Sequence, residues 1–143
     1  MSERVLVVDD NHDAADSLAR IINSFGDEAK AVYSGNQAIE QTAEFHPDMV
    51  LLDIGMPGLD GYETLARIRQ QRESKDTIFV ALTAWSRDED KRHAYESGFD
   101  LHVAKPITAD KLEELLTLLD PESRAVLDFA NVRADIENPP LSR

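Results

Sequence analysis

Several short apolar runs of this 143-residue chain end in a side chain that can take part in chemistry. The clearest is the run 49–52, which leads directly into Asp53 and is followed by turn-forming residues. A carboxylate at such a position can act as a nucleophile, and our hypothesis is that Asp53 accepts a phosphoryl group. The side chains that close the runs are Asp9, Asp10, Asp53, Thr83 and Lys105.

The apolar runs are best explained as buried strands. They are too short for helices and are bounded by turn residues, which is typical of strands that are buried on both faces. Five strands alternate along the chain with five segments whose apolar residues recur at helical spacing. This alternation predicts an α/β protein in which helices cover both faces of a parallel sheet. The carboxyl ends of parallel strands meet at one edge, so the five side chains can converge there.

The helix boundaries can also be predicted. We expect helices over residues 11–25, 34–45, 61–69, 86–98 and 108–119. Ser34 and Thr108 are suitable N-cap residues. Ser86, with Glu89 three residues later, has the spacing of a capping box. The segment 28–32 alternates polar and apolar residues, as expected for an edge or half-exposed strand.

Composition and charge exclude several classes of function. Hydrophobic residues make up 42% of the chain, which is enough for one packed core. The formal net charge is -13, so binding to nucleic acids or to anionic membranes is disfavoured. The absence of cysteine excludes disulfides, zinc–thiolate sites and thiol catalysis. With no membrane-spanning run and no signal-peptide pattern, we expect a cytoplasmic protein.

We expect the chain to divide into a domain over residues 1–120 and a C-terminal extension over residues 121–143. Val126, Phe129 and Ile136 would lie near one face of a helix in this extension. The extension is therefore either a short amphipathic helix followed by a disordered end or a partly ordered linker.

The five candidate side chains suit phosphoryl transfer to a carboxylate. Asp9, Asp10 and Asp53 would repel one another unless a cation joined them, and hard oxygen ligands of this kind suit Mg²⁺. Phosphoryl transfer depends mainly on positioning and on cations near the transferred oxygens, and Lys105 supplies a positive charge. The Thr83 hydroxyl can donate a hydrogen bond to the transferred group.

Residue 55 separates this hypothesis from an enzymatic alternative. A phosphatase that uses an aspartyl-phosphate intermediate would have a second acid two residues after Asp53, where this chain has Gly55. Gly55 instead leaves its backbone carbonyl accessible as a metal ligand. A flavin-binding module is a further alternative, but it needs a phosphate-binding loop after the first strand, where Asp9 and Asp10 would repel a phosphate.

The motifs resemble those of the receiver domains of two-component response regulators. The matching stretches, over about residues 4–119, are Asp9-Asp10, Leu51-Leu52-Asp53 with Met56-Pro57 and Asp60-Gly61, Ala81-Leu82-Thr83-Ala84, and Val103-Ala104-Lys105-Pro106. The resemblance implies a flavodoxin-like fold, a (βα)5 three-layer sandwich with strand order 2-1-3-4-5. The chain resembles chemotaxis regulators within this family. The stretch 81–85 is also similar to receivers of hybrid histidine kinases.

The resemblance also implies roles for individual residues. Asp53 would take phosphate from a histidine kinase or a phosphotransfer protein, and Lys105 would contact the phosphoryl group. The ligands of a bound Mg²⁺ would be Asp9, Asp10, Asp53 and the carbonyl of Gly55.

Further implications concern the switch and the partners. Thr83 would act as the switch hydroxyl, Ala84 would flank the site, and the peptide before Pro106 would be cis. The surface of the fourth helix, fifth strand and fifth helix would contact a downstream protein or, on phosphorylation, a second copy of the chain. The chain would be a signalling phospho-acceptor and not an enzyme, apart from self-catalysed phosphotransfer and autodephosphorylation at Asp53.

One position departs from the family pattern. The family usually has Tyr or Phe three residues before the Lys, and this chain has His102 there. His102 is either a switch residue whose charge varies near neutral pH or a solvent-facing histidine without a switch role.

Trp85, two residues after Thr83, either packs against its loop or limits the access of water to an acyl phosphate on Asp53. In the second case Trp85→Ala should speed the loss of phosphate, because water reaches the phosphorylated carboxylate more easily. The measurement is the decay of the phosphorylated mass after the phosphodonor is removed. A decay rate equal to that of wild type would rule out this role for Trp85.

Overall fold

The five predicted strands form one parallel sheet. A computed structural model describes residues 3–71, 76–84 and 87–120. The strands are β1 (Arg4–Val8), β2 (Glu28–Val32), β3 (Met49–Asp53), β4 (Ile78–Thr83) and β5 (Leu101–Ala104). They lie in the order β2-β1-β3-β4-β5, which confirms the predicted flavodoxin-like topology.

A helix follows each strand. The helices are α1 (His12–Ser24), α2 (Gly35–Phe45), α3 (Gly61–Arg69), α4 (Asp88–Glu96) and α5 (Ala109–Thr117). Within the described ranges, no helix is both long and apolar enough to cross a membrane.

The predicted N-caps of α2 and α5 are confirmed. The Ser34 hydroxyl accepts a hydrogen bond from the backbone N–H of Gln37 at 3.1 Å. The Thr108 hydroxyl accepts one from the backbone N–H of Lys111, also at 3.1 Å. Each cap satisfies a backbone donor that has no partner within its own helix, and so defines where the helix begins.

The predicted start of α4 is wrong by one residue. The helix begins at Asp88, with Arg87 at the N-cap position and no hydrogen bond from a capping side chain. Ser86, the predicted cap, lies outside the described residues. Three acids in the first turn, Asp88, Glu89 and Asp90, offer a physical reason, because they interact favourably with the positive end of the helix dipole.

The core consists of two apolar layers, one on each face of the sheet. In β1, Val5 and Val7 pack on the face covered by α1 and α5. Leu6 and Val8 pack on the opposite face, under α2, α3 and α4. Every residue of the central strand β3 is buried, including Asp53 at its end. A fully buried strand therefore carries the candidate nucleophile.

The register of the strands brings the candidate residues to one edge of the sheet. The carboxyl ends of β1 and β3 are in register. Asp53 pairs with Leu82 of β4, and Thr83 pairs with Ala104, directly before Lys105. Residues that are far apart in the sequence thus meet where parallel sheets place their ligands.

Some predictions from the sequence fall outside the described residues. These are the role of Trp85, the helix or linker over residues 121–143, and the domain boundary at residue 120. They remain predictions.

Helices α2 and α3 approach each other closely at Gly35. Gly35 is buried at the first position of α2, and a Cβ atom there would overlap Thr64 Oγ1 of α3. The Thr64 hydroxyl is itself held, because it donates to the carbonyl of Asp60 at 2.7 Å. Glycine is therefore required at this position by lack of space.

Gly35→Ala should lower the free energy of unfolding by about 1–3 kcal/mol, which is the usual cost of overpacking. Gly55→Ala is the matched control, because a Cβ there would lie 3.6 Å from Asp53 Oδ1, an ordinary contact. The control should change the free energy of unfolding by no more than about 0.5 kcal/mol. Urea unfolding followed by circular dichroism measures both variants, and equal losses of stability would contradict the steric explanation.

Candidate functional site

Asp53 lies at the end of β3 with only 6% of its surface exposed. Its Oδ1 atom accepts a hydrogen bond from the backbone N–H of Gly55 at 2.9 Å. Its Oδ2 atom accepts one from Lys105 Nζ at 3.2 Å. Both oxygens are therefore oriented, and the carboxylate is held at the edge of the sheet.

Asp9 and Asp10 lie beside Asp53. Asp9 is buried, and its Oδ1 atom accepts a hydrogen bond from the backbone N–H of Asn11 at 3.0 Å. Asp10 is exposed. Oxygen atoms of Asp9, Asp10 and Asp53 all lie within 4.8 Å of one another. Three carboxylates at this spacing can hold a hard divalent cation.

Lys105 bridges the two buried carboxylates. Its Nζ atom lies 3.0 Å from Asp9 Oδ2 and 3.2 Å from Asp53 Oδ2. Burial lowers the pKa of Lys105, but hydrogen bonds and charges from Asp9 and Asp53 outweigh that effect and raise its pKa above the ordinary value. The two carboxylates therefore favour the protonated, cationic form of Lys105.

The pKa of Asp53 is shifted by opposing effects. Burial raises it, while the hydrogen bond from Gly55 and the positive charge of Lys105 lower it, and the charge of Asp9 raises it further. The net pKa lies above the ordinary value for aspartate. A cation that joined the acids would favour the ionised, nucleophilic form.

The remaining candidate residues lie at the same edge. Thr83 is buried at the end of β4, and its carbonyl accepts a hydrogen bond from the backbone N–H of Lys105 at 2.8 Å. Ala84 and Gly55 are exposed. The peptide between Lys105 and Pro106 is cis, as expected.

The burial of His102 contradicts one of the two interpretations predicted for this residue. It is only 1% exposed, so the interpretation as a solvent-facing histidine is wrong. Leu101 and Val103 pack in the core layer under α1 and α5, and His102 therefore faces the opposite layer, where α4 covers the sheet. The sequence could not distinguish these cases, because β5 is an edge strand and α4 supplies the cover.

The pKa of His102 is shifted by its surroundings. Burial lowers its pKa, the charge of Lys91 lowers it further, and the charge of Asp90 acts in the opposite direction. The net pKa lies below the ordinary value, so the imidazole is neutral near pH 7. The shift acts against the expectation that its charge varies near neutral pH, which stays a prediction.

Two backbone donors at the site were not predicted from the sequence. The N–H groups of Asn11 and Gly55 each bond the carboxylate two residues earlier, Asp9 and Asp53 respectively. This is the geometry of an Asx turn, in which an aspartate side chain bonds the backbone two residues on. An aspartate at the end of a strand, followed directly by a turn, was the available signal.

A cleft of about 410 Å³ opens beside the acids, between α1 and the loop that joins β5 to α5. Asp9 and Lys105 form its polar end. The rest of its lining is mostly apolar and comprises Ala14, Ser17, Leu18, Ile21, Leu82, Pro106 and Ile107. A partner that reaches the carboxylates from this side would meet an apolar surface first.

The low pKa of His102 predicts a pH-dependent stability. The unfolded chain takes up a proton at His102 as the pH falls below about 6.5, whereas the folded chain does so only at lower pH. The free energy of unfolding should therefore decrease on acidification below about pH 6.5. His102→Phe should remove this contribution, which is at most about 1.4 kcal/mol per pH unit.

Urea unfolding at pH values from 7.5 to 5 measures the effect, with exposed His46 changed to Asn as the control. The control should keep the slope of wild type. A slope that is the same in His102→Phe as in wild type would contradict a buried, neutral His102.

Comparison with known proteins agrees with the geometry of the site. Residues 5–117 match the family described as the response regulator receiver domain. Over 114 residues the chain is 37% identical to the sensor histidine kinase RcsC of Escherichia coli K12, an alignment that covers 80% of this chain but 12% of that kinase. It is 32% identical over 109 residues to an uncharacterized 14.6 kDa protein of Leptolyngbya boryana, covering 76% of this chain and 82% of that protein.

Solved structures give the same result. A putative response regulator from Chloroflexus aurantiacus superimposes with a TM-score of 0.76 at 28% identity, covering 83% of this chain and 98% of that one. The chemotaxis response regulator CheY4 of Vibrio cholerae has a TM-score of 0.77 at 24% identity, covering 83% and 99%, and shares the fold. The chain belongs to the response regulator receiver domain family of two-component signalling.

Proposed function

We propose that Asp53 accepts a phosphoryl group from the phosphohistidine of a kinase or phosphotransfer protein. The observation that carries this proposal is the bridge from Lys105 Nζ to Asp9 and Asp53, at 3.0 and 3.2 Å, beside a cluster of three carboxylates. A buried acid, a cationic lysine and a potential metal site on one edge of a sheet are the parts that phosphoryl transfer needs.

The transfer is a substitution at phosphorus. An oxygen of Asp53 forms a new bond to phosphorus as the phosphorus–nitrogen bond of the donor breaks, and the donor imidazole leaves with the electron pair and takes up a proton from water. The product is an acyl phosphate. Lys105 can then move its hydrogen bond from Asp53 to an oxygen of the transferred group, because its side chain is long and 31% exposed.

The acidic residues fit a resident Mg²⁺. Asp9, Asp10 and Asp53 offer three hard oxygen ligands within 4.8 Å, and the exposed Gly55 offers its carbonyl. When bound, Mg²⁺ would offset the charge of the carboxylates and of the incoming phosphoryl group.

The cleft between α1 and the β5–α5 loop is the proposed approach for the donor. Its lining is mostly apolar and includes Asp9 and Lys105. An apolar helix surface that carries a phosphohistidine could cover this cleft and exclude water from the reacting atoms.

The response to phosphorylation is proposed to run through Thr83 and His102 to α4. Both side chains are buried, and His102 faces the layer that α4 covers. The helix α4 is weakly anchored, since Ala94 is its only buried residue. Movement of the Thr83 hydroxyl toward the phosphate would shift α4 between two arrangements. The face of α4, β5 and α5 would then bind a downstream protein or a second copy of the chain.

The phosphatase alternative is less well supported. Gly55 has no group that could act as an acid or base two residues after Asp53. The family match favours phosphate that is held as a signal. A flavin-binding role has no support from the same match.

Incubation with a small phosphodonor and Mg²⁺ tests the proposal. Wild type should gain the mass of one phosphate, Asp53→Ala should gain none, and removal of Mg²⁺ by a chelator should slow the reaction strongly. Asp27→Asn is the matched control, because Asp27 lies at the opposite end of the sheet, before β2, and should behave as wild type.

Modification of Asp53→Ala, or none of wild type, would contradict phosphorylation at Asp53. Repeated turnover, with many phosphates released per chain, would favour the phosphatase alternative.

A further inference from the structure

Tyr33 contacts the N-terminal part of α1 at two points, His12 and Asp16. Its ring stacks on the ring of His12, with centroids 3.8 Å apart and planes 11° from parallel. Its hydroxyl donates a hydrogen bond to Asp16 Oδ1 at 2.6 Å. His12 and Asp16 are four residues apart, so they lie on the same face of the helix. One side chain therefore contacts one face of α1 near its N-terminus at two points.

Contacts to its backbone and side chain hold Tyr33 in place. It directly follows β2, whose last residue, Val32, accepts a hydrogen bond from the backbone N–H of Asp9 at 3.2 Å. The Tyr33 backbone N–H donates to Gln37 Oε1 at 2.8 Å. The half-buried Tyr33 side chain packs against the core layer under α1 and α5. Tyr33 thus joins α1 to the edge of the sheet at the end of β2.

Asp9 and Asp10 lie in the turn that leads from β1 into α1. Asn11 caps α1, because its side chain accepts a hydrogen bond from the backbone N–H of Ala14 at 3.1 Å. The backbone N–H of Asn11 donates a hydrogen bond to Asp9 Oδ1 at 3.0 Å and so orients that carboxylate. Asp10 lies between Asp9 and Asn11 and is exposed, so packing around its own side chain does not fix its position. The placement of Asp10 therefore depends on the placement of the first turn of α1.

We infer that Tyr33 is a positioning residue for the divalent-cation site, acting through His12 and Asp16 to hold the turn that carries Asp9 and Asp10. This inference rests on the proposed Mg²⁺ site. It adds a residue from the β2–α2 connection that does not itself bind the metal. The hydrogen bond to Asp16 is also the largest cause of a raised pKa at Tyr33, so the hydroxyl stays protonated and remains a donor.

The expected effect is on metal affinity. Residues that orient metal ligands typically change metal affinity by about 10–100-fold when they are removed. Tyr33→Ala loses both contacts and should weaken Mg²⁺ binding by about tenfold, at the low end of that range because Asp53 is held independently. Tyr33→Phe keeps the stacked ring and loses only the hydrogen bond, so its dissociation constant should lie between those of wild type and Tyr33→Ala.

Isothermal titration of the full chain with Mg²⁺, without a phosphodonor, measures these dissociation constants. Tyr62→Ala is the matched control, because Tyr62 makes aromatic contacts with His93 and Phe99 on the opposite face of the sheet. It should keep the affinity of wild type. Urea unfolding of each variant checks that it is folded under the conditions of the titration.

A double-mutant cycle separates the hydrogen bond from other effects. Once Asp16 is changed to Ala, Tyr33→Phe should have no further effect on Mg²⁺ affinity, because the bond is already lost. Asp13→Ala removes an exposed acid from the first turn of the same helix and corrects for the loss of charge.

Two results would overturn the inference. Tyr33→Ala could lower the free energy of unfolding while the folded protein binds Mg²⁺ with the affinity of wild type, which would make Tyr33 only a structural residue. If wild type itself bound no Mg²⁺, the proposed metal site and this inference would both be wrong.

Discussion

The carboxylates of Asp9, Asp10 and Asp53 are close enough to repel one another, and the ammonium group of Lys105 offsets that repulsion. Two unit charges 4 Å apart interact by about 4 kcal/mol at an effective dielectric constant of 20. Lys105 Nζ lies 3.0 Å from one acid and 3.2 Å from another, so it balances a cost of this order. The sheet must hold all four groups at one edge for this balance to exist, and every other feature of the site depends on it.

The same interaction links the local chemistry to the fold. Asp53 is carried by a strand that is buried along its whole length, whereas Lys105 follows an edge strand and has a side chain that can move. A charge added to Asp53 therefore changes the partners of Lys105 more readily than it moves β3. Ala94 is the one buried residue of α4, and the buried His102 lies in the layer beneath that helix.

Much of the fold followed from local patterns. Apolar runs that end in turns predicted the strands, and the hydroxyls of Ser34 and Thr108 predicted two helix starts, because these signals act over a few residues. The start of α4 was placed one residue early, since acids in the first turn can replace a capping side chain. The burial of His102 was not predictable, because an edge strand is covered or exposed according to a helix elsewhere in the chain.

The sequence by itself determined which chemical groups are available: acids, a lysine and a hydroxyl, each directly after a strand. It also determined the strand alternation that sends them to one edge. Only the tertiary structure decided the distances. Lys105 is 96 residues from Asp9 and 52 from Asp53, and the parallel register of four strands brings their atoms within hydrogen-bond distance. Tyr33 contacts α1 for the same reason, because the pairing of β2 with β1 brings Tyr33 next to a helix that is distant in the sequence.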